Sequence, residues 1–173
     1  EIPCQQAVEI MTFLDTLPVV YDCFMDNGAW MTAALQEKID DYTDDPHYRK
    51  MVRQLRAPVP ELKAFITDLG HDVQKSQFFT MDGALRAQML RELPQRFPHI
   101  IVSSALAHNV EINNERAHKG AAILALAQHV GCSAEQVMAF GDGLNDLTMI
   151  QTAGIGVAMG NAQPPVKEAA DYI

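Results

Sequence analysis

Five consecutive residues, Asp142-Gly143-Leu144-Asn145-Asp146, gather two carboxylates and a carboxamide into one short turn. Hard oxygen groups at that spacing can hold Mg2+ while leaving it several waters, and a divalent-metal site is the chemistry they suggest. A solvated acidic turn is the plainer alternative. The string lacks the third glycine of a dinucleotide fingerprint and the ligand spacing of a calcium loop. The other candidate is Lys119, which heads a helical stripe of Ala122, Ile123, Leu126, Ala127 and Val130 that stops at Gly131. A cation in a first helical turn opposes the helix dipole, which makes sense where an anion is to be held.

Two elements must position the turn. Val137 to Phe140 is a short continuous apolar run, as expected of a strand buried on both faces of a parallel sheet. Gly141 and Gly143 would let the chain bend sharply at its end. Leu147-Thr148-Met149-Ile150 suits a helical turn that Ala153-Gly154 ends. Ile155 to Met159 reads as a second parallel strand, and Pro164 opens a short helix ending before Asp171. In an open α/β sheet, ligands bind at the carboxyl ends of strands, which is where Asp142 falls.

Upstream, the spacing predicts a helix over Cys4 to Leu14 and a strand over Val19 to Met25, with an Asp26-Asn27-Gly28 hairpin leading into Ala29 to Thr32. Asp44-Asp45-Pro46 starts a helix, Pro58 and Pro60 interrupt the chain, and Glu61 to Leu69 is helical up to Gly70. Val73 to Thr80 is a strand, Asp82 caps a helix to about Leu93, and strands follow at His99 to Ser104 and Asn109 to Ile112. This order predicts an α+β layer with helices on one face of an antiparallel sheet. The polar segment Asn113 to His118 would then be a hinge.

Composition limits the function. The 173 residues carry a formal net charge of −9 and are 48% apolar. That is enough apolar content for a core, and nothing supplies the basic stripe of a nucleic-acid or membrane surface. Cys4, Cys23 and Cys132 are odd in number and widely spaced, as reduced thiols of a cytoplasmic protein would be. Neither a membrane helix nor a signal peptide is visible. The first residue is Glu1, so the chain is expected to start inside a longer gene product.

Several segments in fixed order resemble the haloacid dehalogenase superfamily, Cof-type phosphatase branch: Val110-Glu111-Ile112, Lys119 to Leu124, Ala139 to Ile150, Gly156 to Ala162, and Val166 to Asp171. The resemblance implies an α/β fold, with a partial Rossmann-like parallel-sheet core at 113–173 and an α+β cap with an antiparallel sheet at 1–112. It implies catalytic roles for Lys119 and Asp142, with Lys119 contacting the transferring phosphoryl group. Mg2+ would be held by Asp142, with Asp146 assisting the metal or the lysine from behind, and Asn145 would touch the substrate phosphate. The implied activity is a Mg2+-dependent phosphatase of small phosphorylated metabolites, sugar phosphates among them, working through an aspartyl-phosphate.

The family's nucleophile motif, Asp-x-Asp after an apolar strand, is not found. Phe13-Leu14-Asp15 sits in a predicted helix, and Phe78 to Ala84 has threonine, Thr80, at the nucleophile position. Both are expected to be local structure, and the chain is expected to lack the nucleophile and some C-terminal residues. Three other readings stay open: a non-catalytic phosphate-binding protein on this scaffold, a phosphomutase, and a P-type pump phosphorylation domain. Against the pump stands Leu147-Thr148-Met149, where pumps have an Ala-Pro-Ala type of continuation.

Overall fold

A computed structural model describes residues 1–104 and 106–173. The chain forms two compact units, one of Glu1–Val102 with Leu106–Asn114 and one built on Glu115–Ile173.

The first unit begins with α1 (Cys4–Leu14), which buries Ala7, Ile10, Met11 and Leu14 at helical spacing. β1 (Val20–Met25) and β2 (Gly28–Thr32) form the expected hairpin. Asp26 and Asn27 both have positive φ, 53° and 60°, the geometry a two-residue turn needs to match strand twist. Then come α2 (Ala33–Glu37), a 3-10 turn at Ile39–Asp41, α3 (Pro46–Leu55), β3 (Ala57–Val59), α4 (Leu62–Leu69), β4 (Lys75–Phe79), α5 (Gly83–Arg96), β5 (Ile100–Ser103) and β6 (Asn109–Asn114). Asp45 and Asp82 accept main-chain N–H groups at the starts of α3 and α5, and Gly70 ends α4 at φ 66°.

The strands form one sheet in the order β3-β2-β1-β4-β6-β5, antiparallel at the β1–β2, β1–β4 and β4–β6 pairings and parallel at β2–β3. The expectation of helices on one face needs correction. α1, α4 and α5 cover one face with a core that includes Tyr21, Cys23, Phe78, Val110 and Ile112. Ile39 and Val52 pack a smaller layer on Val20, Met31 and Phe79 of the other face. The stretch around Pro58 is also more than an interruption, because it pairs with β2 as the sheet's terminal strand, where a missing N–H can be tolerated. β6 continues through Asn113 and Asn114, so the first part of the predicted hinge is strand.

One polar cluster is buried on the second face. Arg56 Nε donates to Asp22 Oδ2 at 2.7 Å, and Gln77 Nε2 donates to the same oxygen at 3.1 Å. Asp22 Oδ1 has no hydrogen-bond partner among the described residues. Burial pushes the Asp22 carboxyl up, with the Arg56 charge and hydrogen bond opposing it.

The second unit contains α6 (Lys119–Val130), β7 (Met138–Gly141), α7 (Leu147–Thr152), β8 (Ile155–Ala158) and α8 (Pro164–Ala169). β7 and β8 pair in parallel, Met138 opposite Ile155 and Gly141 opposite Ala158. The core is small: Ala139, Ile150, Ala158, Ala162 and Val166, with Ile123 and Met149 packed against it.

Two expectations fail here. β7 is not buried on both faces, since Ala139 and Gly141 are buried while Met138 and Phe140 are 54% and 57% exposed. On α6 the buried residues are Gly120 and Ala127, while Leu124, Leu126 and Val130 are exposed. The helix is apolar around much of its circumference, so periodicity did not identify the face that meets α7.

Candidate active site

The acidic turn forms where β7 ends. After Gly141 the chain passes through Asp142 and Gly143, makes a 3-10 turn over Leu144–Asp146, and enters α7. Asp146 holds this shape. Its Oδ2 accepts the main-chain N–H groups of Asp142 and Gly143 at 2.9 and 3.0 Å. The glycines serve a purpose other than the one expected: neither has positive φ. They leave room for side chains. A Cβ on Gly141 would lie 2.5 Å from Asp146 Cβ, and one on Gly143 would lie 2.7 Å from Asn145 Oδ1.

Lys119 reaches the same carboxylate, its Nζ lying 2.5 Å from Asp146 Oδ1. Three local features aim it. His118 caps α6, its Nδ1 accepting the Ala121 N–H at 3.2 Å. The Gly120 N–H donates to Thr148 Oγ1 of α7 at 3.2 Å. Gly120 itself allows the two helices to meet, since a Cβ there would be 2.7 Å from the Thr148 carbonyl oxygen. The start of α6 is thereby fixed on α7, beside the turn that precedes it.

Electrostatically, Asp146 balances two influences. Burial pushes its carboxyl up, but the Lys119 hydrogen bond, the two main-chain N–H groups and the Lys119 charge outweigh that and hold it below the ordinary carboxylate value. Both its oxygens are thus engaged by the protein. Asp142 differs. Its side chain is exposed, and its Oδ2 accepts from Asn161 Nδ2 at 3.2 Å. The segment after β8 is further tied to the turn by Met159 N–H to the Gly141 carbonyl and Gln163 N–H to the Asp142 carbonyl, each at 2.9 Å.

Of the sequence-predicted residues, Lys119, Asp142 and Asp146 come together through one carboxylate, and the half-buried Asn145 lies in the same turn. Asn161 and Thr148 were not singled out, because their roles rest on contacts distant in sequence, and neither was His118, because histidine is not among the residue types that commonly mark a helix cap. For Mg2+, the accessible oxygen donor is the Asp142 carboxylate. Among the described residues no group of three or more His, Cys, Asp or Glu side chains is placed to hold a metal. One exposed carboxylate fits a Mg2+ that keeps several waters and takes its other ligands from substrate phosphate and further groups.

The two segments searched for a nucleophile are local structure. Asp15 follows α1 and accepts from Tyr21 Oη at 2.7 Å and from the Lys63 ammonium. Asp82 is the cap of α5.

A parallel strand pair with an acidic turn at its carboxyl end, joined to a larger α+β unit, matches known proteins throughout. The haloacid dehalogenase-like hydrolase family matches residues 1–173, and the chain belongs to it. A 5-amino-6-(5-phospho-D-ribitylamino)uracil phosphatase of Bacillus subtilis (strain 168) is 43% identical over 108 residues, 62% of this chain and 42% of that protein. An HMP-PP phosphatase of Cronobacter sakazakii (strain ATCC BAA-894) is 38% identical over 106 residues, 57% of this chain and 38% of that protein. The crystal structure of a haloacid dehalogenase-like hydrolase from Bacteroides thetaiotaomicron superposes with a TM-score of 0.70 at 27% identity, covering 99% of this chain and 61% of that one. The chain therefore spans less than half the length of those curated relatives.

Proposed function

We propose that this chain is part of a Mg2+-dependent phosphatase acting on small phosphorylated metabolites, with residues 1–112 as the cap and 113–173 as the C-terminal part of the catalytic core. The observation that carries this reading is the Lys119 ammonium held on Asp146, whose other oxygen fastens the main chain of Asp142. The phosphatases named among its relatives support the reaction class.

In this reading Lys119 lies against the phosphoryl oxygens and offsets the negative charge spread over them during transfer. Asp142 would hold Mg2+, which when bound neutralises charge on the same oxygens. Asp146 assists the metal and the lysine from behind, both of its oxygens being engaged by Lys119 and the turn. It fixes the lysine and the turn, so that both groups are positioned before substrate arrives. Asn145 contributes a side-chain contact to the phosphate. An aspartyl-phosphate pathway also needs an attacking aspartate, and neither Asp15 nor Asp82, each tied into local structure, supplies it. The three free thiols and the absence, among the described residues, of a helix long and apolar enough to cross a membrane accord with a cytoplasmic enzyme.

The test is phosphate release from a panel of phosphorylated sugars and polyols by the complete gene product. Lys119→Ala and Asp142→Ala should each lower kcat by about a hundredfold or more, the loss expected when a main charge-stabilising group is removed. Turnover by the 173-residue chain alone, unaffected by Asp142→Ala, would overturn the assignment. Saturable phosphate binding by the complete product without hydrolysis would favour a binding protein, and transfer between sugar hydroxyls a phosphomutase.

A further inference from the structure

In the first unit, α3 turns one face towards an open cavity of about 440 Å3 lined by Asp40, Pro46, Arg49, Lys50, Arg53 and Gln54. The five helical residues lie at positions i, i+3, i+4, i+7 and i+8, a single stripe. Three of them are cations facing one carboxylate, in a chain whose net charge is −9. We propose that this cavity, lined by residues of the first unit alone, binds a small, multiply charged oxyanion.

Three observations support it. The volume lies within the roughly 300–1,000 Å3 typical of small-molecule sites. The guanidinium groups are already ordered: Arg53 Nη2 lies 2.8 Å from Asp40 Oδ1, while Arg49 Nε donates to the Thr43 carbonyl at 2.7 Å and its Nη2 to the Asp40 carbonyl at 3.1 Å. Side chains fixed in advance lose less freedom on binding. Each guanidinium also has five N–H donors in a planar fork that suits paired oxygens of a phosphoryl or carboxylate group, and these bonds use only some of them. Lys50 adds a point charge beside them. The opposing account is a solvated helix face whose only business is the contact with Asp40.

Amide NMR of the 173-residue chain separates the two. Pyrophosphate and citrate are titrated in separate arms, with sodium chloride at matched ionic strength as the control. Saturable shifts confined to residues 40–54 are expected. Lys50→Gln and Arg53→Gln should each weaken binding by about tenfold, the worth of one charge-assisted contact, and Lys119→Ala should leave it unchanged. Tighter binding of pyrophosphate assigns a phosphoryl ligand, and tighter binding of citrate a carboxylate one. Shifts that sodium chloride reproduces, or binding that persists in both variants with native amide spectra, would overturn the site. Because Lys119→Ala disables the proposed phosphoryl site alone, failure here and failure of the phosphatase assignment can be told apart.

Discussion

Asp146 joins Lys119 to the main chain of Asp142: one oxygen takes the ammonium at 2.5 Å and the other takes two N–H groups of the turn at 2.9 and 3.0 Å. A buried carboxylate with both oxygens committed is a structural fastener, whereas Asp142, exposed beside it, is available to a ligand. The two aspartates should therefore separate on substitution. Asp146→Ala leaves two main-chain donors and the lysine without their acceptor and should destabilise the second unit by about 2–3 kcal/mol. Asp142→Ala should leave stability nearly unchanged. Hydrogen exchange of the α7 amides during urea titration measures both, and equal losses would contradict the division of roles.

The same carboxylate sets a pH dependence. Its value when folded lies below its ordinary value, so ionised Asp146 stabilises the fold fully above about pH 4, the unfolded value. That contribution is lost as pH falls through the lowered, folded value. Lys119 is half exposed, which screens the ion pair and leaves the main-chain N–H bonds as the more dependable part. An acid titration of α6 and α7 amide protection should thus show a loss beginning below about pH 4. Asp146→Asn, stable or not at neutral pH, should lack that component and give a flatter profile.

Arg56 and Asp22, 34 residues apart in sequence, form an ion pair in which both side chains are almost fully buried. Removing one partner strands the other charge. Asp22→Asn should cost about 3–5 kcal/mol, whereas Asp22→Leu combined with Arg56→Met, which removes both charges, should recover most of that loss. Urea unfolding followed through signals of the first unit gives the three numbers. A double variant as unstable as the single one would show that the pair contributes more than mutual compensation.

What the sequence made legible was mostly local. The capping residues Asp45 and Asp82, the stop at Gly70, the Asp26-Asn27 hairpin and the acidic turn each depend on residues within a few positions of one another. What it hid depended on partners distant in the chain. Leu126 and Val130 have the same apolar chemistry as Ile123, and only the position of α7 decides which of them packs against a core. Thr148 and Asn161 are ordinary polar residues until folding brings them to Gly120 and Asp142. The second helical layer on the six-stranded sheet was missed likewise, since Ile39 and Val52 gain meaning only against Val20 and Phe79.

Close approach explains Gly141 better than backbone freedom does, and the two explanations predict different outcomes. With φ outside the left-handed region, alanine at 141 incurs no backbone penalty, but its Cβ would stand 2.5 Å from Asp146 Cβ and 2.9 Å from Asp146 Cγ. Neither atom is the loose end of a flexible chain, because both Asp146 oxygens are anchored. Gly141→Ala must therefore displace Asp146 from the turn, at an overpacking cost of about 1–3 kcal/mol. Gly160→Ala is the control: its φ is also outside that region and its added Cβ meets nothing within 4 Å, so it should change stability by no more than about 0.5 kcal/mol. Displacement has a second signature. The Asp142 and Gly143 amides should lose hydrogen-exchange protection in Gly141→Ala and keep it in Gly160→Ala. Equal protection in the two variants would mean that the turn holds its shape without Asp146.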